Sequence, residues 1–261
     1  MSKIALLGNG NVLINLIPFI FENKLYDDVL IGYAPRHANS ICEYGEYFEN
    51  KLKSLSLKYP NLFLYKIDSL DEPDFDILCN SDLQISLGSP WIFKERHINK
   101  ASYLIHSHST DLPKFRGGAS YSWMIMSNYR KSSITLYRMN KYIDSGDLIQ
   151  KDNFEFPSTF TTPQEYILYA EKLILESLRK FIYNFKISGI VLSEIKQDES
   201  ISSYFPRLSS EIHSWINWNW SCEDLVSFIR SFSDPYGGAK TRVTSKDNLV
   251  LRIEKAKIYK K

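Results

Sequence analysis

An α/β fold, with a mostly parallel sheet covered by helices on both faces and a small C-terminal appendage, is predicted by three observations in the sequence. Short apolar runs alternate with segments whose apolar residues recur at helical spacing, the pattern of a sheet assembled from β-α-β units. The first run ends in a glycine turn that opens a helix, Gly8-Asn9-Gly10-Asn11, which is how a Rossmann-like unit begins. The chain, 261 residues and 44% hydrophobic, is long enough for one sizeable core and a small addition.

Ser2 to Leu7 is the first expected strand, and the apolar residues that follow Asn11 read as the first helix, where Pro18 implies a kink or a late start. GNGN is weak as a phosphate-binding signature, because it lacks a third glycine and a clear acidic residue after the second strand; no nicotinamide cofactor is assigned. Asp27 to Ala34 is the second strand. The segment 39–60 is polar and aromatic at helical spacing and reads as a helix ending before Pro60. Asn61 to Asp68 is the third strand, and a short helix begins near Asp71 with Pro73 tolerated in its first turn. The fourth strand follows Ser81 and runs into Gly88-Ser89-Pro90. Ser102 to Ile105 is the fifth, Ala119 to Asn128 an apolar helix, and Ser132 to Asn140 the sixth strand. Tyr142 to Gln150 is a turn leading into another strand, with Asp147 placed to fix the turn. Thr162-Pro163-Gln164-Glu165 is a capping box opening a long amphipathic helix. Its expected buried stripe is Ile167, Ala170, Ile174, Leu178, Phe181 and Phe185. Past Gly189 the character changes, so a main domain of 1–203 and a subdomain of 204–261 are expected.

The formal net charge of +2 gives no global electrostatic case for nucleic acid. From Lys240 to Lys261 there are eight Lys or Arg against two acids, read as a solvated basic face. No signal-like leader and no apolar run of bilayer length is present, and three scattered cysteines, Cys42, Cys79 and Cys222, fit a reducing cytoplasm.

Chemistry concentrates in Leu104–Gly118, LIHSHSTDLPKFRGG. His106 and His108 are two residues apart, and in an extended segment such positions point to the same side, so both imidazoles can face one cleft at the end of a strand. An H-x-H pair is also half of a transition-metal site, but no cysteine or further histidine stands at ligand spacing, and no metal is assigned. Packing histidines with satisfied hydrogen bonds are the plain alternative; the polar loop that follows argues against it. Arg116 can fork onto a carboxylate or phosphate, and Gly117-Gly118 permit unusual backbone conformations. Asp144, before Ser145-Gly146, is either a turn former or a carboxylate at the lip of the same sheet.

HSHSTDLPKFRGGASYSW followed by ITLYRMNKYIDSGDLI resembles the family of formyltransferases that use 10-formyltetrahydrofolate, whose core reads N-x-H-x-S-x-L-P-x-x-R-G, then an apolar strand, then D-x-G-D/P-I. The region 204–243, with its I-N-W, its I-R and its P-x-x-G-A, resembles the exit from the catalytic domain in the methionyl-tRNA and sugar-nucleotide members; Trp218, Arg230 and Tyr236 lie in it. The resemblance implies a catalytic histidine at His108, an aspartate at Asp144, and His106 where the family has asparagine. It implies a pterin held near Leu87, Gly88 and Trp91, with Asp144 also close to the folate, and acceptor contacts from Gly8, Asn9, Gly10, Arg116 and Gly117. The expected activity is transfer of a formyl group to the amine of a nucleotide-linked amino sugar, a surface-polysaccharide precursor, in the cytoplasm. Methionyl-tRNA comes second and glycinamide ribonucleotide third, because only about fifty-five residues follow Tyr204 and the charge is near neutral. A non-catalytic folate-binding module is the reading of a different class. The expected partner is a small molecule, neither membrane nor nucleic acid, and a homodimer is compatible with the sequence.

Overall fold

The computed structural model describes residues 1–42, 45–188, 193–243 and 249–259. The chain forms two compact units, one of residues 1–109, 134–152 and 171–197, the other of 110–133, 153–170 and 198–261.

The first unit carries the sheet. Strands β1 (Lys3–Gly8), β2 (Asp28–Tyr33), β3 (Leu62–Lys66), β4 (Leu83–Leu87), β5 (Leu104–His108), β7 (Lys131–Arg138) and β8 (Leu148–Glu155) stand in the order β3-β2-β1-β4-β5-β7-β8. The pairs among β1 to β5 are parallel, and β7 runs antiparallel to β5. Alternate residues of the parallel strands feed two cores. Ile4, Leu6, Ile31 and Ile85 pack with Leu13 and Ile17 of helix α1 (Asn11–Glu22) and with Leu178 and Phe181 of α6 (Pro163–Ser188). Ala5, Leu7 and Leu30 face the other way, onto Phe75 and Leu78 of α3 (Pro73–Cys79). Burial on both faces is why these strands read as continuous apolar runs. A buried Leu or Ile contributes roughly 2 kcal/mol, so this strand–helix packing is the main support of the site's scaffold.

Helix α1 begins at Asn11, directly after the glycine turn, and carries Pro18 inside it, which removes the late start that Pro18 had allowed. The helix expected over 39–60 is shorter: α2 spans Phe48–Lys58, and the chain before it closes a bridge between Ile41 and Tyr47. Only from Phe48 do apolar residues recur where a helix can bury them, at Phe48 and Leu52. The carbonyls of Ser40 and Ala38 accept from the N–H groups of Phe48 and Glu49 at 2.8 and 3.1 Å, satisfying donors that a helix start leaves open. Glu43 and Tyr44 lie outside the described residues.

The capping box on α6 is present: the Glu165 carboxylate accepts from the Thr162 N–H at 2.8 Å, and Thr162 Oγ1 accepts from the Glu165 N–H at 3.4 Å. Of the expected stripe, Ala170, Leu178 and Phe181 are fully buried while Ile167, Ile174 and Phe185 are half-buried, and Tyr166 and Ile182 join the core instead.

The second unit packs α5 (Ser120–Met126) on α8 (Cys222–Ser231), where Ser122 Oγ donates to the Ser231 carbonyl at 2.7 Å. Short strand β6 (Arg116–Gly117) pairs with β9 (Tyr204–Phe205), and β10 (Ala239–Arg242) with β11 (Val250–Ile253). Residues 244–248 and 260–261 of the basic tail, and Gly189 at the expected change of character, lie outside the described residues. Cys42 and Cys79 are buried and Cys222 is exposed. Among the described residues no helix is long and apolar enough to cross a membrane.

Candidate active site

Parallel strands β1, β4 and β5 end on one edge of the sheet, at Gly8, Leu87 and His108, with Gly8 opposite Leu87 and Ser86 opposite His106. The C-terminal edge of such strands is where open parallel sheets bind ligands. Close approach of the chain demands glycine at position 8: its φ is +134°, and a Cβ there would sit 1.9 Å from the Leu87 carbonyl oxygen. The Asn9 N–H donates to that same carbonyl at 3.0 Å, so the Gly8–Gly10 turn and the Leu87–Gly88 turn are joined.

Strand β5 runs on through both histidines, so the two-residue period holds and the rings lie on one side of the strand, centroids 6.4 Å apart. Asp144 comes to them from the β7–β8 connection. Its Oδ2 lies 4.0 Å from His108 Nε2, and its Oδ1 accepts from the Tyr137 hydroxyl at 2.7 Å. One donor atom from each of His106, His108 and Asp144 lies within 4.8 Å of the others. The three residues picked from the sequence as catalytic are thus together.

The His106 ring lies 5.5 Å from that of Tyr137, tilted by 54°, and its Nδ1 is 3.1 Å from Ser86 Oγ. Burial pushes its pKa down to about 4; the Asp144 charge opposes this and the neighbouring His108 adds to it. The His106 ring is therefore neutral near pH 7. If the Ser86 hydroxyl donates to Nδ1, the Nε2 proton of His106 is left as a hydrogen-bond donor.

A cleft of about 220 Å³ opens beside His106 and Asp144, lined also by Trp91, Phe93, Tyr137, Tyr142 and Ile143. Of the three residues expected near a pterin, Trp91 lines this cleft, with Nε1 donating to the Asp68 carbonyl at 3.1 Å. The Leu87 side chain is buried in the core, which leaves its backbone and that of Gly88 at the sheet edge.

The Asp144 turn is tied by a residue that the sequence reading had not singled out. Gln197 Nε2, buried, donates to the carbonyls of Asp144 and Gly146 at 2.9 and 2.8 Å. Gly146 is required because a Cβ there would lie 1.7 Å from the Arg138 carbonyl oxygen. Asp147, expected to fix this turn, gives its backbone carbonyl to the Arg138 N–H at 2.9 Å. Ser86 and Tyr137 were likewise missed. A buried Ser and Tyr inside apolar strands are the available signal, since a buried hydroxyl needs a partner.

In the second unit, Arg116 is buried and its guanidinium forks onto Glu199 at 2.8 and 2.7 Å. Gly117 pairs with Phe205 in β6–β9.

No family model matches the chain. The methionyl-tRNA formyltransferase of Streptococcus pyogenes serotype M49 is 29% identical over 239 residues, 89% of this chain and 74% of that protein. The bifunctional polymyxin resistance protein ArnA of Wigglesworthia glossinidia brevipalpis is 28% identical over 193 residues, 72% of this chain but only 28% of ArnA. Among solved structures, a sugar N-formyltransferase from Shewanella superposes with TM-score 0.73 at 15% identity, covering 100% of both chains. WlaRD, a sugar 3N-formyltransferase solved with dTDP and 5-N-formyl-THF, superposes with TM-score 0.70 at 21% identity, covering 89% of this chain and 79% of its own. The chain is homologous to formyltransferases and shares their fold. Formyl transfer is the activity named for the methionyl-tRNA and sugar N-formyltransferases among them, and WlaRD carries a formylated folate beside its nucleotide.

Proposed function

We propose that the chain transfers a formyl group from 10-formyltetrahydrofolate to the primary amine of a nucleotide-linked amino sugar. The observation that carries this reading is the meeting of His106, His108 and Asp144 where β5 ends, with His106 and Asp144 lining an aromatic cleft. The flat walls given by Trp91, Phe93, Tyr137 and Tyr142 suit a planar heteroaromatic ring, and Asp144 supplies a carboxylate acceptor for ring N–H groups. The folate, when bound, supplies the formyl group in activated form.

The rest is done by this chain's side chains. An attacking amine must lose a proton, and His108, with Asp144 beside its Nε2, takes that proton and later returns it to the leaving nitrogen. Asp144 orients the ring, while Tyr137 and Gln197 hold Asp144 from behind. His106, neutral, presents a ring N–H to the oxyanion that forms on the formyl carbon, the role that asparagine has in the resemblance. The Gly8–Gly10 turn, next to the Leu87–Gly88 turn, is assigned to the acceptor. A phosphate at Arg116 would have to displace the Glu199 carboxylate, so Arg116 and Gly117 act by shaping the loop unless that exchange occurs.

An amino sugar is favoured by the full-length match to a sugar N-formyltransferase fold and by the net charge of +2. The second reading, methionyl-tRNA, rests on the names of the sequence relatives and on a methionyl-tRNA formyltransferase structure that matches over 97% of both chains with TM-score 0.63. Incubating the protein with 10-formyltetrahydrofolate and a panel of dTDP-, UDP- and GDP-linked amino sugars, methionyl-tRNA and glycinamide ribonucleotide, read by mass, tests it. Formylation of an amino sugar is expected; formylation of methionyl-tRNA alone replaces the first reading by the second, and folate binding without any transfer leaves a non-catalytic module.

A further inference from the structure

We infer that the second unit holds a binding site for a small oxyanion of the phosphate class, in a hollow lined by Arg130 and Arg230. The hollow measures about 30 Å³, and its lining includes both arginines with Asn128, Thr161, Tyr166 and Ser227, but no Asp or Glu. A single water needs about 10–15 Å³, so this space suits one compact ion and excludes the ring systems of a folate or a nucleotide.

Three segments bring the groups together. Asn128 and Arg130 follow α5, Thr161 and Tyr166 come from the capped start of α6, and Ser227 and Arg230 lie on α8, with Arg230 in its last turn. Arg130 is held in place: its Nη1 donates to the carbonyls of Pro157 and Phe160 at 2.7 and 3.1 Å and lies 3.4 Å from the Tyr166 hydroxyl. All three contacts use one nitrogen, and among the described residues Nη2 and Nε of the same fork have no partner. Arg230 is half-buried, and among the described residues its guanidinium takes no hydrogen bond and no ion pair.

Charge is what calls for an ion here. A guanidinium stays protonated throughout the range in which proteins fold, so two of them on one half-buried hollow repel, and each loses hydration without gaining a counter-charge. The negative end of α8 offsets part of the Arg230 charge, but the carbonyls on Arg130 are neutral. A forked donor matches two oxygens of a tetrahedral oxyanion at once, and the Asn128 amide and Ser227 hydroxyl can donate to the others. Chloride would use the charge but not the forks, so phosphate binds in preference to it. None of these residues belongs to the formyl-transfer site, and the inference stands apart from that reading.

The test is a calorimetric titration of the full chain with inorganic phosphate, in a buffer free of phosphate and sulfate, with chloride at matched ionic strength as the reference ion. Saturable binding of one equivalent of phosphate, tighter than that of chloride, is expected. Arg230→Gln should weaken it roughly 10- to 100-fold, the size expected for a hydrogen bond between charged groups, and Arg230→Lys, which keeps the charge and loses the fork, should fall between. Lys255→Gln, which removes an equal charge from an exposed position, should bind as the wild type does. Far-UV dichroism and the urea midpoint establish that each variant is folded. Thermal unfolding gives a second readout: phosphate stabilises proteins generally by exclusion from their surface, so the extra rise in melting temperature of the wild type over Arg230→Gln is the specific part. Added dTDP separates two sources of the group. Phosphate binding that dTDP leaves unchanged marks a site for the free ion, and competition that is lost in Arg230→Gln marks a site for the terminal phosphate of an ester. Absence of a saturable phosphate site, chloride binding as tightly as phosphate, or equal phosphate affinity in folded Arg230→Gln overturns the proposal.

Discussion

His106 makes the fold sensitive to acid in a way that can be measured without knowing the substrate. Its pKa falls from 6.5 to about 4 in the folded chain, chiefly through burial. Between those values the unfolded chain binds a proton that the folded chain refuses, so stability rises with pH across the window. The contribution is lost as pH falls from about 6.5, and the loss is complete near pH 4. At about 1.4 kcal/mol per unit, a depression of some 2.5 units corresponds to about 3 kcal/mol, a large part of a typical domain's 5–15 kcal/mol. His106→Asn removes the titrating group while keeping a polar side chain. Urea unfolding of both proteins at several values between about pH 7.5 and about pH 4.5 isolates the effect, because every other titrating group is common to the two. The wild type should lose up to about 3 kcal/mol more than the variant on going to the acid end, whatever offset the substitution introduces at neutral pH. Parallel curves would refute the argument and show that the folded imidazole accepts a proton as readily as the unfolded one.

Three further outcomes are expected. His108→Ala should lower turnover roughly 100- to 10,000-fold with folate binding kept, measured by steady-state kinetics and fluorescence titration, and Asp144→Asn should also slow turnover and alter its pH dependence while the fold persists. Gln197→Ala leaves the buried carbonyls of Asp144 and Gly146 without that donor and should cost about 2 kcal/mol in urea unfolding, with slower transfer because Asp144 is no longer held. Gly8→Ala forces a Cβ against the Leu87 carbonyl at positive φ and should destabilise by roughly 2–4 kcal/mol, read as a lowered melting temperature.

The alternating apolar runs made the sheet legible, because strands buried on both faces must be apolar throughout, and Ile4, Ala5, Leu6 and Leu7 feed both cores. The histidine pair was legible for a related reason: the period of a strand puts positions 106 and 108 on one side whatever surrounds them. Residues 39–47 misled because polar and aromatic spacing was taken for a helix, although only Phe48 and Leu52 of that segment's helix reach the core. What fixes the site chemically lay beyond local pattern. Ser86 stands 20 residues before His106, and Gln197 stands 53 after Asp144. Neither spacing has a period, and each meets its partner only because β4 lies beside β5 and the chain returns to the β7–β8 turn after α6.

That division has a chemical consequence. A motif fixes which side chains reach the cleft, but the state of each is set by what stands behind it: burial beside Ser86 keeps His106 neutral, and Tyr137 engages one oxygen of Asp144 so that the other faces His108. An imidazole in the place of asparagine keeps a single outward N–H only while it stays neutral and its second nitrogen is engaged. The departure at position 106 is therefore compatible with oxyanion stabilisation because of Ser86, a residue outside the motif. Removing the Ser86 hydroxyl should for that reason impair turnover more in this chain than in its His106→Asn variant, where the amide needs no such partner to select its donor.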